Sequence, residues 1–153
     1  MLIDRITASR YVSSMQLLAT GDLDGLLGQF APGATLSFVG DGPLAADHLR
    51  GPMLRAWFER FVRLLPERCF EVQRVVVAGP PWRTRLAAHV RIRATIAGHP
   101  YVNDFGHFLT IRWGRVTDDV VIEDTQPWER IRHRLVDAGV GDAAAPPLLA
   151  AAG

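Results

Sequence analysis

The second half of this chain constrains its fold more than anything else in it. Four β-rich runs follow one another there: Cys69 to Ala78, Trp82 to Ala97, Tyr101 to Trp113 and Val116 to Asp124. Only Gly79-Pro80-Pro81, Gly98-His99-Pro100 and a turn at Gly114-Arg115 separate them. Runs of this length joined by such short turns predict an antiparallel meander.

Alternation then assigns the faces. In the Trp82 run, Leu86, Ala88, Val90, Ile92, Ala94 and Ile96 share one side, and Arg85, His89, Arg91 and Arg93 share the other. The apolar side must meet the rest of the core. In the Tyr101 run, the more apolar set is Tyr101, Asn103, Phe105, His107, Leu109, Ile111 and Trp113. Asn103 and His107 are then polar groups on a mainly apolar wall and require hydrogen-bond partners. A tight hairpin at Gly114-Arg115 places His107 opposite about Val121, with Asp119 and Glu123 as diagonal neighbours. Long side chains reach across such diagonals. A histidine beside one or two carboxylates in a poorly hydrated cavity is a coupled pair suited to acid/base work. Taken singly, His107 also reads as a core histidine and Asp119 as a turn residue.

The first half supplies the covering layer. From Asp4 to Ala19, apolar residues including Ile6, Tyr11, Met15 and Leu18 recur at helical spacing, and Gly21 ends the run. Asp22 caps a second short helix carrying Leu23, Leu26, Leu27 and Phe30, closed by Pro32-Gly33. Thr35 to Val39 reads as a short strand. Beyond Gly51-Pro52, a third helix presents Leu54, Trp57, Phe58, Phe61 and Leu65 until Pro66 stops it. A last helix runs from Pro127 to about Val136, with Asp124 or Thr125 near its cap. Gly141 to Gly153 has no periodic face. The expectation is therefore one α+β domain over residues 1–138, helices on a curved antiparallel sheet enclosing a pocket, with 139–153 a disordered tail.

Charge excludes some functions. Seventeen Lys and Arg are nearly balanced by sixteen Asp and Glu, and the basic residues are scattered, which argues against nucleic acid as a partner. No apolar stretch approaches the ~20 residues of a membrane span. Cys69 stands alone, so no intrachain disulfide forms and no thiol pair suggests zinc. No His, Asp and Glu spacing has the look of a metal-ligand set. A cytoplasmic location is expected from these features together.

The order of elements resembles the NTF2-like superfamily. So do the strings Gly21-Asp22-Leu23-Asp24, Phe30-Ala31-Pro32, Gly98-His99-Pro100-Tyr101 and Arg112-Trp113-Gly114-Arg115-Val116, with Asp124 ten residues after the last glycine. The resemblance spans Asp4 to about Val136 and is closest to the SnoaL-like polyketide cyclase and ketosteroid-isomerase-like branch. It implies a cone-shaped pocket, a homodimer through the outer sheet face and a setting in secondary metabolism. The family's catalytic residues do not carry over. The Arg and Asp of its epoxide hydrolases fall at Ala88 and Val90. The last-strand Asp that those hydrolases share with the cyclases falls at Val121. Any chemistry must use a relocated set.

Two functions follow as expectations. The first is a cofactor-independent cyclase or isomerase acting on a hydrophobic, oxygenated small molecule such as a polyketide or terpenoid. His107 would be its general base or acid, Asp119 or Glu123 would hold and tune it, and Asn103 would donate to a developing oxyanion. Trp57, Tyr101, Phe105, Val90 and Val121 would line the ligand. The second is a non-catalytic domain binding a hydrophobic ligand or a protein partner, which the loss of ionisable groups at the family positions favours.

Overall fold

The computed structural model describes residues 2–149. Eleven elements follow in order: α1 (Leu2–Thr20), α2 (Leu23–Leu27), β1 (Phe30–Val39), β2 (Ala46–Leu49), α3 (Pro52–Leu64), β3 (Cys69–Ala78), β4 (Thr84–Ile96), β5 (His99–Arg112), β6 (Arg115–Glu123), α4 (Thr125–Asp137) and α5 (Gly141–Ala144). One six-stranded sheet has the order β2-β1-β6-β5-β4-β3. Helices cover one of its faces, so the fold is α+β as expected.

The sheet is antiparallel except at one joint, where β1 lies parallel to β6. That joint corrects the reading of residues 30–34. Phe30 opens a strand instead of closing a helix, and it pairs with Val116 while Thr35 pairs with Asp118. The irregular stretch between holds Ala31, Pro32 and Gly33, so proline and glycine mark a bulge here and not a helix stop. The four-residue β2, pairing with β1, was not anticipated. Ala46-Asp47-His48-Leu49 is too short to show an alternating pattern.

Each helix follows its apolar stripe. In α1, Tyr11, Met15 and Leu18 are buried, and Gly21 at φ 79° turns the chain out of the helix. Asp22 caps α2 by accepting from the Gly25 N–H at 2.9 Å. In α3, Pro52 occupies the first turn and Leu54, Trp57, Phe58, Phe61 and Leu64 are buried. Asp124 caps α4 by accepting from Gln126 N–H at 3.0 Å, and Trp128, Ile131 and Leu135 are buried beneath that helix.

The two hairpin turns that set the site's register are Ala97-Gly98 and Trp113-Gly114. All four residues have positive φ, from 49° to 76°, the geometry of a two-residue turn that matches strand twist. Trp113 is therefore in the turn, not on the inner face of β5. It is 73% exposed and lies against Trp82.

The expected disordered tail is corrected in part. Residues 141–144 form α5, whose Ala143 is fully buried, and Leu148 packs against the core. Arg63 Nε donates to Asp142 at 2.6 Å and Arg60 to the Pro146 carbonyl at 2.8 Å. Polar anchors hold this segment, which an apolar-periodicity argument does not register. Residues 150–153 of the expected tail lie outside the described residues.

Candidate functional site

A cavity opens between α1, α3 and the inner sheet face. Its volume is about 90 Å³, several times the ~10–15 Å³ that one water needs. Most of its wall is apolar, including Phe30, Phe38, Trp57, Phe58, Phe61, Phe70 and Phe105. The polar groups are few: Tyr11, His107, Asp119 and Glu123 within, and Thr7, Arg10, Ser14 and Gln29 on α1 and the segment before β1.

His107 pairs across the hairpin with Val121, and the neighbouring pairs are Leu109 with Asp119 and Phe105 with Glu123. His107 and Asp119 are both buried. Their contact is direct, with His107 Nε2 at 2.7 Å from Asp119 Oδ1. On the other side of the ring, Nδ1 lies 2.7 Å from the Tyr11 hydroxyl. A carboxylate only accepts, so Nε2–H donates to Asp119, and in the neutral imidazole Nδ1 then accepts. Burial, and then the nearby Asp119 charge, push the Tyr11 hydroxyl's pKa well up, so it keeps its proton and donates to Nδ1. The resting state is a chain of three groups with a fixed imidazole tautomer.

Sequence reasoning missed Tyr11 as a site residue. It sits on the buried stripe of α1, where it reads as core. The available signal was its hydroxyl, since a tyrosine on a buried face needs a hydrogen-bond partner.

Glu123 is the second ionisable group within the cavity. Burial, with a smaller contribution from the Asp124 charge, pushes its carboxyl up to about 8. One oxygen, Oε1, is buried with no hydrogen-bond partner among the described residues. The other lies 3.4 Å from Asn103 Nδ2. A carboxyl in this setting is neutral at pH 7 and is a proton donor.

The other expected site residues divide. Trp57, Phe105 and Val121 line the cavity. Val90 and Tyr101 do not: Val90 is fully buried in the sheet, and Tyr101 packs edge-on against Trp128 at 6.3 Å under α4. Asn103 stays outside the cavity as well. Its amide donates to the Asp124 carbonyl at 2.8 Å and to the Tyr101 hydroxyl at 3.0 Å, and its oxygen accepts from Asp104 N–H at 2.9 Å. With both hydrogens engaged, Asn103 has none to offer an oxyanion and instead supports the neighbourhood of Glu123.

Among the described residues, no three His, Cys, Asp or Glu side chains converge as a metal site, and no helix is long and apolar enough to cross a membrane.

A family model described as a SnoaL-like domain matches residues 10–134. No curated protein sequence matches the chain. Solved structures of the same fold include PrhC from Penicillium brasilianum, 15% identical with a TM-score of 0.76, covering 90% of this chain and 92% of that one. BvnE pinacolase from Penicillium brevicompactum is 16% identical with a TM-score of 0.70, covering 88% and 94%. AclR, a putative hydroxylase from Streptomyces galilaeus, is 14% identical with a TM-score of 0.67, covering 88% and 96%.

Proposed function

Since the chain belongs to the SnoaL-like family, we propose that its cavity binds an apolar, oxygenated small molecule and moves protons on it as an isomerase or cyclase. The observation behind this reading is the buried Tyr11–His107–Asp119 chain on the wall of an otherwise apolar cavity that also holds the neutral Glu123. A pinacolase and a putative hydroxylase on the same fold support small-molecule chemistry in such a pocket.

The proposed cycle begins when a substrate carbonyl enters and takes the Tyr11 O–H as its hydrogen-bond donor. That frees the lone pair of His107 Nδ1, which removes a proton from the carbon next to the carbonyl. Asp119 holds Nε2–H and stabilises the imidazolium that results. The enolate then takes a proton back at another carbon, which is an isomerisation. Alternatively it attacks a second carbonyl, with Glu123 protonating the new alkoxide, which is a ring closure. Isomerisation returns the His107 proton to carbon; ring closure forms a C–C bond as the second C=O becomes the alkoxide, and the proton on His107 then passes to Glu123 to restore both groups, so either outcome is redox-neutral.

A second reading, a binding domain without turnover, draws on Ala88, Val90 and Val121 standing where the family carries ionisable groups. The test is hydrogen–deuterium exchange at the acidic carbon of 2-tetralone in D2O, followed by NMR. The enzyme reading expects the protein to accelerate exchange and the Asp119→Asn variant to lose that acceleration. Saturable binding of 2-tetralone with exchange at the buffer rate would transfer the assignment to the binding reading.

The outer sheet face is proposed as a homodimer interface. Val102, Phe108 and Ile122 are each 44–48% exposed there, beside the Arg91–Asp104 pair.

A further inference from the structure

We infer that the cavity is built for an anionic ligand, an apolar body carrying a carboxylate or an equivalent oxyanion, with Arg10 at the rim as the group that holds the charge. This inference rests on the cavity being the ligand site, and it adds the ligand's class and its orientation.

The cavity has a defined mouth. Of the described residues that line it, only Arg10 and Gly114 are exposed. Arg10 stands on the same stripe of α1 as Thr7, Tyr11 and Ser14, at helical spacings of three and four. Its guanidinium lies over the β5–β6 turn, close enough that a Cβ added to Gly114 would sit 3.1 Å from Nη1. The glycine required by the turn thus also leaves space for the arginine.

Arg10 is the one arginine among the described residues that line the cavity. Arg91, Arg93, Arg63 and Arg132 are each committed to a carboxylate. The Arg10 guanidinium makes no hydrogen bond or ion pair among the described residues, so its five N–H donors are unengaged. Beside it, the Ser14 hydroxyl lies 2.8 Å from the Arg10 carbonyl oxygen and 2.7 Å from the Gln29 side-chain amide, so polar groups of α1 and residue 29 adjoin the guanidinium. A rim guanidinium that is paired with no carboxylate among the described residues fits an oxyanion.

Position along β6 sets the orientation. From Gly114 the cavity wall runs through Val116, Asp119, Val121 and Glu123. At ~3.3 Å per residue, Asp119 is roughly 16 Å along the strand from the turn. The inner end holds the acceptor Asp119, and a second negative charge beside its carboxylate is disfavoured. A ligand's anionic group therefore belongs at the rim, and the carbon to be deprotonated belongs at the far end of its body.

The test compares 2-naphthoate with 2-acetylnaphthalene, its neutral isostere, by calorimetry at low ionic strength. Wild type should bind the naphthoate at least tenfold more tightly. Arg10→Gln should bring the two within twofold while leaving the affinity for 2-acetylnaphthalene unaltered. Arg134→Gln, which removes an equal charge on α4, should leave the preference intact. Equal binding of both probes by wild type, or loss of the preference in both variants, would overturn the rim assignment and leave the cavity as a ligand site. Failure of both probes to bind wild type would overturn the cavity reading together with it.

Discussion

Replacing Glu123 with Gln tests whether a buried carboxyl sits neutral in the cavity, independently of any substrate. In the folded chain this carboxyl holds its proton up to about pH 8, against 4.5 when free of its surroundings. Between those values the folded state binds more protons than the unfolded one, so the sign is fixed: stability falls as pH rises through this window. Below pH 4.5 both states are protonated and nothing is lost. At ~1.4 kcal/mol per pH unit the whole window would be worth about 5 kcal/mol, and water entering the half-buried site reduces that to about 3 kcal/mol. Gln keeps the shape and the acceptor facing Asn103 but cannot ionise. Urea unfolding of both proteins at pH 5, 6, 7 and 8 is the assay. The two should agree within about 1 kcal/mol at pH 5. The variant should then gain on wild type steadily, becoming the more stable by about 3 kcal/mol at pH 8. Parallel profiles across that range would refute the neutral carboxyl and, with it, the role of Glu123 as proton donor.

Tyr11→Phe removes the donor to His107 Nδ1 and keeps the ring packing, so it should cost about 1 kcal/mol in urea unfolding. It should also shift the His107 ring nitrogen signals in NMR, and unchanged signals would mean that the contact is absent in solution. Truncation after Val140 removes α5, the Asp142 anchor and Leu148, and should lower stability by about 1–3 kcal/mol; a melting temperature equal to that of the full chain would show that this segment does not dock. Arg91→Glu places a negative charge beside Asp104 on the outer face. It should shift sedimentation from dimer toward monomer, and a wild-type monomer at high micromolar concentration would rule out this interface.

The sheet's inner face was legible because it obeys a period of two over long runs. Leu86 through Ile96 on β4 and Tyr101 through Ile111 on β5 are buried at alternate positions, and two-residue turns leave little freedom in pairing them. What was not legible has physical causes. Proline and glycine at 32 and 33 signal a break, and only the parallel pairing with β6 shows that the break is a bulge within a strand. The tail's anchors are single polar contacts between residues about 80 positions apart, which no local pattern encodes. Tyr11 was hidden because an amphipathic helix makes its buried stripe look uniform, whichever member of it carries the hydroxyl.

A single irregularity places the candidate site. With the turn at Trp113-Gly114, Arg112 pairs with Arg115 and Ile111 with Val116, but Thr110 pairs with Asp118. One extra residue, Thr117, is therefore inserted in β6, and its hydroxyl donates to the Thr110 carbonyl at 3.2 Å. An insertion of one residue exchanges the faces of everything beyond it. Without it, Val116 would share the inner face with Asp118, Val120 and Ile122. With it, that face carries Asp119, Val121 and Glu123 instead. Val121, standing where the family resemblance would put a carboxylate, has one on each side at a spacing of two, and His107 lies directly across from it. The ionisable groups have thus not left the pocket wall; they occupy the flanking inward positions of the same strand. Both the apolar identity of Val121 and the acidity of its neighbours follow from a register that the hairpin holds through one bulged threonine.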